Sequence, residues 1–400
     1  MRFLQVMQPY AAKVSQWRRD IHAHPEIGFE LPRTSGKVAE LLESFGLEIQ
    51  RDFVPSAVLG ILRTGRPGPV VAMRADMDAL SMEDVKDVPY RSQEKGRCHA
   101  CGHDAHTSLL LGLANFCADH KELFKGTIKF VFQPAEEGPA PGGAKLICES
   151  GVLDDVDYMI GAHAQPLYKA GQVGMRHDED FASGDFFEIR VTGKSCHGAS
   201  PHMGTDCLAA AGELVCALQS IRSREVPPLK PAVLSVTSIA GGDLAAKNVI
   251  PETVTMGGTY RTYEPEIREM MGRRIQEIAQ HVAQAHNCAA EVTLIPMFPS
   301  LVNNNAVIDA VYAAGVEQIG EENTIWKGSA NMGSEDFAYY TNFTKAGFFY
   351  FGIRNDEKGF TNSLHNARFD IDEDTFAPTL SVYAAAVLNL LEMPAWRSKG

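Results

Sequence analysis

"PVVAMRAD", residues 69–76, is an apolar run of strand length that ends in an aspartate. A longer apolar segment, TSLLLGLANFCADH at residues 107–120, has the length of a buried helix. It is followed by a second apolar run, TIKFVFQPAEE at residues 127–137. Strands that are apolar at nearly every position are buried on both faces, and the order strand, helix, strand is typical of parallel sheets. The sequence therefore predicts a doubly wound α/β domain.

Residues of the kinds that bind ligands lie at the ends of the predicted strands. Further apolar runs of strand length occur at residues 157–166 and 347–354. Carboxylates or a histidine end three of the runs, namely Asp76, Asp78, Glu136, Glu137 and His163. In open α/β sheets, ligands bind beyond the carboxyl ends of the strands, where the loops of neighbouring strands converge. We expect separate segments of the chain to build one site there.

The pattern changes near residue 183. From there the chain predicts a strand, a helix, two strands, a helix and a strand, which is the order of a ferredoxin-like unit. The α/β pattern resumes near residue 297. We therefore predict a mixed-sheet domain built from residues 1–182 and 297–400, with a ferredoxin-like α+β domain, residues 183–296, inserted into it.

The length and charge of the chain exclude several functional classes. A chain of 400 residues exceeds the roughly 250–300 residues that one hydrophobic core serves, which agrees with two domains. The formal net charge of −13 repels polyanions and anionic membranes, so we expect no nucleic-acid or membrane partner. Gln, Lys and Arg interrupt the first residues too often for a signal peptide, and no segment approaches the ~20 apolar residues of a membrane span. We predict a cytoplasmic location.

The segment CHACGHDAH, residues 98–106, is rich in possible metal ligands. Cys98 and Cys101 form a CxxC pair, but a structural zinc site needs four ligands, and no second pair lies at a suitable distance. Flanking histidines and an aspartate also argue against a thioredoxin-type redox pair. Cys101 and His103, two residues apart in a turn, could reach one metal centre. The spacing alone leaves these alternatives open.

The doublet Glu136 and Glu137 ends a predicted strand, before a loop rich in Gly and Pro. Adjacent side chains at a strand end point in different directions, so one carboxylate can bind a metal while the other moves a proton. On composition alone, a solvated acidic loop is the competing interpretation. The ligand-type residues at the other strand ends favour the functional one.

The sequence resembles the aminoacylase and glutamate-carboxypeptidase group of two-metal metallohydrolases. Within that group it resembles the branch of hippurate hydrolases and indoleacetyl-amino-acid (auxin-conjugate) hydrolases. The matching stretches run in family order across nearly the whole chain: RRDIHAHPEIGFE, AMRADMDAL, CHACGHDAHTSLLLG, FQPAEEG, GAHAQP, GKSCHGASPHMGTD, NVIPETVTMGGTYRT, MGSEDFAYY and SLHNARFDID. Together they are far more specific than any one of them.

The resemblance implies two divalent metal ions per subunit, Mn or Zn, with Co or Ni as alternatives. It implies five protein ligands for them, namely Cys101, His103, Glu137, His163 and His365. It gives general acid and base catalysis to Glu136, which acts on a water at the metals. Asp78, which we count among the catalytic residues with Glu136 and His197, would orient groups of the site, as would Asp104, because metal-bound histidines need such partners. Cys98 stands where this branch has methionine, which favours a packing role.

The resemblance also implies that the inserted domain acts as a lid and as a dimerisation domain. It implies a homodimer or a dimer-based homo-oligomer, in which His197 crosses the interface to stabilise the oxyanion in the partner subunit. His202, in the same loop, is the alternative. Asn248 and Arg261 match positions that contact substrate, and a guanidinium can bind both oxygens of a substrate carboxylate. Without the resemblance, His197 and Arg261 would be interpreted as solvated surface residues.

These inferences predict a metal-dependent amidohydrolase that cleaves N-acyl-L-amino acids, such as hippurate-like, indoleacetyl or acetyl conjugates. The products would be a carboxylic acid and an amino acid. A dipeptidase or carboxypeptidase could use the same two-metal centre. A binding protein that keeps the scaffold without catalysis is the alternative from another class, and the complete set of site residues argues against it.

Overall fold

The structure is a computed structural model that describes residues 2–327 and 329–395. The described residues form two compact units. The first is built from residues within Met1–Asp178, Val302–Ser329 and Asp336–Gly400, and the second from Glu179–Leu301 and Ala330–Glu335. Within the described part of the chain, every helix is too short or too polar to cross a bilayer.

The helices and strands alternate along much of the chain. The α-helices of the described residues are α1 (Gln8–Ala23), α2 (Pro32–Ser44), α3 (His103–Asp119), α4 (Gly143–Glu149), α5 (Cys207–Ser220), α6 (Pro265–Ala285), α7 (Asn305–Ile319), α8 (Ala338–Phe343) and α9 (Phe376–Glu392). The strands are β1 (Glu48–Gln50), β2 (Val58–Arg63), β3 (Val70–Asp76), β4 (Thr127–Gln133), β5 (Tyr158–Lys169), β6 (Val173–Met175), β7 (Asp178–Phe181), β8 (Gly184–Thr192), β9 (Cys196–His197), β10 (Ala232–Gly241), β11 (Val249–Ile250), β12 (Thr253–Thr262), β13 (Ala289–Phe298), β14 (Leu301–Asn303), β15 (Thr324–Trp326) and β16 (Lys345–Arg354).

The first unit contains an eight-stranded mixed sheet with the order β1-β2-β4-β3-β5-β16-β6-β15. The central strands β4, β3, β5 and β16 run parallel to one another, while β1, β2 and β6 pair antiparallel with their neighbours β2, β4 and β16. Strands β3 and β4 are buried at nearly every position, as expected for a sheet covered on both faces. Helices α3 and α9 pack on β3. The predicted mixed α/β fold is confirmed.

The parallel strands bring distant residues to one edge of the sheet. Strand β3 ends at Asp76, which is in register with Gln133 at the end of β4. Strand β5 lies on the other side of β3 and carries His163. Because the three strands run in the same direction, the segments that follow them meet beyond their carboxyl ends. Helix α3 begins at this edge and is buried from His103 to Cys117.

The second unit contains a four-stranded antiparallel sheet with the order β10-β12-β8-β13. Its helices α5 and α6 pack against each other and against β12. Along β8, buried Phe187, Ile189 and Val191 alternate with exposed residues, so one face of the sheet packs on the helices. The order strand, helix, strand, strand, helix, strand is the predicted ferredoxin-like arrangement.

Candidate metal centre

A glycine places Cys101 and His103 on either side of a sharp turn. Gly102 has a φ of +91°, in the left-handed region, and directly precedes α3. A Cβ atom at this position would lie 3.0 Å from the Cβ of Ala164. Only glycine fits both constraints without strain. The turn leaves the side chains of Cys101 and His103 buried at the edge of the sheet.

Cys101 lies between two histidines from distant segments. Its Sγ atom is 3.4 Å from Nε2 of His163 and 3.3 Å from Nε2 of His365. The same Nε2 atom of His365 is 3.1 Å from Oε1 of Glu137. The backbone N–H of His365 donates to the carbonyl of Ala100, which holds its loop against the turn.

The predicted ligands form overlapping groups of three residues, and within each group the donor atoms lie within 4.8 Å of one another. The groups are Cys101 with His103 and His163, Cys101 with Glu137 and His365, and His103 with Glu136 and Glu137. The structure thus brings together the five residues predicted as metal ligands. It also places Glu136, the predicted proton carrier, among them.

Hydrogen bonding fixes which nitrogen of His163 is available as a donor to a metal. Its Nδ1 atom lies 2.8 Å from the carbonyl of Ala164, which can only accept, so Nδ1 carries the proton. Nε2 therefore keeps its lone pair and faces Cys101. Burial lowers the pKa of His163 to about 4, so the ring is neutral at pH 7.

The charges around Cys101 favour a cation. Burial raises the pKa of the Cys101 thiol well above its usual value, and the carboxylates of Glu137, Glu136 and Asp76 raise it further. Within the described residues, neither ring nitrogen of buried His103 has a hydrogen-bond partner. Imidazole, thiolate and carboxylate donors are the groups that bind zinc and other divalent transition metals. The residues present therefore fit divalent metal ions.

Asp78 anchors the glutamate doublet. Its two carboxylate oxygens accept the backbone N–H groups of Glu136 and Glu137, each at 3.0 Å. Its Oδ1 atom also lies 3.4 Å from Nδ1 of His103. The predicted catalytic residue Asp78 is thus placed to orient the doublet, and its carboxylate lies near the ring of His103. Asp104, predicted to orient groups of the site, accepts hydrogen bonds from Arg18 and His22.

Cys98 lies in a different environment from Cys101. Its Sγ atom is 4.0 Å from Nζ of Lys86, which pairs with Asp84. The possible ligand atoms of Cys98, His22 and Asp84 also lie close together. The ammonium group of Lys86, however, already balances the charge of the Asp84 carboxylate. The structure thus separates the two cysteines of the CxxC pair, which spacing alone could not do.

A buried arginine behind the centre was not identified from the sequence. Arg74 donates to Asp76 at 2.8 Å, to Asp336 at 2.7 Å and to the side-chain oxygen of Gln133 at 2.8 Å. Its side chain is 1% exposed. The pKa of Asp76 stays well below its usual range although burial opposes ionisation, because His103, Arg74 and His106 surround it. No local pattern relates residue 74 to residue 336.

Replacing Arg74 with methionine is expected to lower the free energy of unfolding by about 3–5 kcal/mol, because two buried carboxylates lose their cation. Urea denaturation of the metal-free protein measures the change. Arg63, at the end of β2, is the matched control, since it pairs with Glu48 at the surface and is 58% exposed. Arg63→Met should cost less than about 1 kcal/mol. Equal losses in the two variants would contradict the assignment.

The predicted oxyanion and substrate residues lie in the second unit. Nδ1 of His197 accepts the backbone N–H of Ala199 at 3.0 Å, so the proton is on Nε2 of this exposed ring. The carbonyl of Asn248 accepts the N–H of Gly198 at 2.7 Å, which places Asn248 beside His197. His202 is exposed in the next turn. Arg261 donates to the carbonyl of Met332 at 3.1 Å.

The chain is similar to known proteins over most of its length. A family model described as Peptidase family M20/M25/M40 matches residues 72–389. The chain belongs to this family. The membership confirms the family and the hydrolase class that the sequence predicted.

Proteins similar to this chain include an IAA-amino acid hydrolase and a carboxypeptidase. IAA-amino acid hydrolase ILR1-like 4 of Arabidopsis thaliana is 37% identical over 383 residues, which are 94% of this chain and 86% of that protein. Thermostable carboxypeptidase 2 of Saccharolobus solfataricus is 36% identical over 363 residues, 90% of this chain and 91% of that protein. A solved structure of Bacillus subtilis YXEP, a dinuclear metal-binding peptidase of the M20 family, is similar with a TM-score of 0.83. It is 30% identical and covers 96% of this chain and 99% of that chain.

Proposed function

We propose that the protein hydrolyses the amide bond of N-acyl-L-amino acids and releases a carboxylic acid and an amino acid. The observation that carries the proposal is the position of Glu136 beside His103 and Glu137, whose donor groups overlap with those of the other proposed metal ligands. The similarity to an Arabidopsis thaliana IAA-amino acid hydrolase over 94% of the chain supports this substrate class.

Two divalent ions would be held by the five proposed ligands, Cys101, His103, Glu137, His163 and His365. The similarity to a dinuclear peptidase and the fit of the donor set support this number. Such ions lower the pKa of a water and polarise the scissile carbonyl. A thiolate among the donors favours Zn or Co, whereas the carboxylate and imidazoles also suit Mn and Ni.

Glu136 moves the proton. Its Oε2 atom lies 3.9 Å from Nε2 of His103, and its side chain is only 10% exposed. Asp78 holds its backbone N–H, so the carboxylate stays at the edge of the sheet. As the water attacks the carbonyl, Glu136 takes a proton from it, and then gives that proton to the leaving nitrogen.

His197 would stabilise the oxyanion of the tetrahedral intermediate. A backbone N–H occupies its Nδ1, so the ring presents Nε2–H as a donor, which is the tautomer an oxyanion needs. We propose that the protein is a homodimer and that each His197 serves the metal centre of the partner subunit. Arg261 and Asn248 would bind the substrate's carboxylate and amide.

Co-expression of two inactive variants tests the exchange of His197. When His197→Ala and Glu136→Gln subunits pair at random, half of the dimers are mixed, and each of these has one complete site of two. We expect about a quarter of the wild-type activity. Glu136→Gln co-expressed with Cys101→Ala is the matched control, because both changes lie in the first unit and no complete site can form. Activity no higher in the first mixture than in the control would show that His197 does not act across subunits.

Hydrolysis assays test the substrate class. Metal-free enzyme is refilled with Mn, Zn, Co or Ni and assayed with hippurate, N-acetyl and indoleacetyl amino acids, and dipeptides. The proposal requires the highest kcat/KM for an N-acyl amino acid. A preference for dipeptides or for C-terminal residues of peptides would favour the alternative enzyme, which the similarity to a carboxypeptidase supports. Tight binding without turnover of any amide would favour a binding protein. The predicted cytoplasmic location stays a prediction.

A further inference from the structure

His106 is buried in the first turn of α3, three residues after His103, and the proposed mechanism does not use it. Its ring is 4.6 Å, centroid to centroid, from that of His163. The family resemblance implies ligand roles for Cys101 and His103 but none for His106, which belongs to the same CHACGHDAH segment. A buried imidazole in contact with a proposed ligand needs a physical explanation.

Both ring nitrogens of His106 have partners that fix its tautomer. Nε2 lies 2.9 Å from the backbone N–H of Ala164, which can only donate, so Nε2 is unprotonated. Nδ1 therefore carries the proton and donates it to Oδ1 of Asp76 at 2.6 Å. Arg74 holds the other oxygen of Asp76 at 2.8 Å. The ring connects a charged, immobile carboxylate to the backbone of β5.

Ala164 lies in the part of β5 that extends beyond its pairing with β3. The pairing of β5 with β3 ends at Gly161, while its pairing with β16 continues past Ala164. Beyond the end of β3, the N–H of Ala164 donates to His106 instead of to a strand. A donor buried at this depth would otherwise lose its hydrogen bond.

Ala164 also orients His163. Its carbonyl accepts the Nδ1–H of His163 at 2.8 Å, and this bond directs Nε2 of His163 towards Cys101. A continuous chain of contacts thus runs from Arg74 through Asp76, His106 and Ala164 to the donor atom of His163.

We propose that His106 is a positioning residue of the metal centre, which holds Ala164 through its unprotonated Nε2 and so aims His163 at the metal. The inference rests on the proposed role of His163 as a ligand. It requires the acceptor on Nε2, rather than the ring's bulk or its bond to Asp76.

Two substitutions of His106 test the roles of its two ring nitrogens separately. His106→Gln can place an amide oxygen near the position of Nε2 and accept from Ala164. His106→Asn is shorter and can donate to Asp76, but leaves the N–H of Ala164 without its acceptor. Both variants remove the imidazole, so each is the control for the other, and urea denaturation records any shared loss of stability.

The readout is Co²⁺ binding to metal-free protein, followed by the visible and near-ultraviolet bands of cobalt and by competition with a chelator. We expect His106→Asn to bind Co²⁺ about 10–100-fold more weakly than the wild type, the usual cost of losing a partner behind a ligand. His106→Gln should stay near the wild type in affinity and spectrum. Equal losses, no loss in either variant, or the reverse ranking would overturn the proposal.

A neutron crystal structure of the wild-type enzyme covers the case in which a variant does not fold. It should show a deuteron on Nδ1 of His106 and none on Nε2, and a deuteron on Nε2 would overturn the proposal. Neither measurement uses a substrate. A wrong substrate class would leave these results unchanged, and a failure here would leave the hydrolase proposal unchanged.

Discussion

A Glu136→Gln enzyme is expected to hydrolyse N-acyl amino acids about 10²–10⁴-fold more slowly than the wild type, which is the usual contribution of a general acid or base. Glutamine keeps the size and the backbone N–H that Asp78 holds, but its amide cannot take a proton from water. The decrease in activity should appear as a lower kcat. Steady-state kinetics with hippurate and metal analysis of the same sample make the measurement.

Metal content distinguishes the proton carrier from a ligand. Glu136→Gln should keep both ions, whereas Glu137→Gln should lose metal, because Glu137 is a proposed donor in the group with Cys101 and His365. Glu40→Gln, on the exposed side of α2, is the matched control and should keep full activity. If Glu136→Gln turned over at the wild-type rate with full metal content, the proposed mechanism would be wrong.

Cys101→Ala is expected to weaken metal binding by more than about 100-fold, beyond what the loss of a hydrogen-bond partner behind a ligand costs. Cys101 belongs to two of the donor groups, so its loss removes a donor from both. Activity at low metal concentration should fall together with the metal affinity. A large excess of metal should restore part of the activity. Metal titration of the metal-free variant measures the change.

Cys98→Ala is the control from the same motif. Cys98 is also buried, lies three residues away, and contacts Lys86 rather than the proposed metal ligands. This variant should bind metal like the wild type. Equal metal loss in both variants would mean that the two cysteines act as a pair, and the interpretation of the centre would then be wrong.

The sequence predicted the strands and the meeting of their ends because both depend on local patterns. Burial on both faces makes β3 and β4 apolar at nearly every position, and the ligand-type residues follow directly. The resemblance then named the ligands, which periodicity could not do. The helix predicted from residue 107 begins at His103, since left-handed Gly102 lets α3 start beside the centre.

The interactions behind the centre could not be predicted, because they join residues that are far apart in the chain. Arg74 and Asp336 are separated by 262 positions, and the bond from His106 to Ala164 depends on where the pairing of β5 with β3 ends. An arginine in an otherwise apolar strand indicates a buried partner, but neither this arginine nor the third histidine of the motif carries a sequence signal that names its partner.

The long separation of Arg74 from Asp336 has a consequence for synthesis on the ribosome. The ferredoxin-like sheet, β8 to β13, is contiguous and complete once residue 298 has left the exit tunnel. The larger sheet still lacks β16 at that moment, and Arg74 lacks one of its carboxylates. The nascent chain therefore completes its four-stranded sheet first and carries an unfinished candidate metal centre until His365 has been translated.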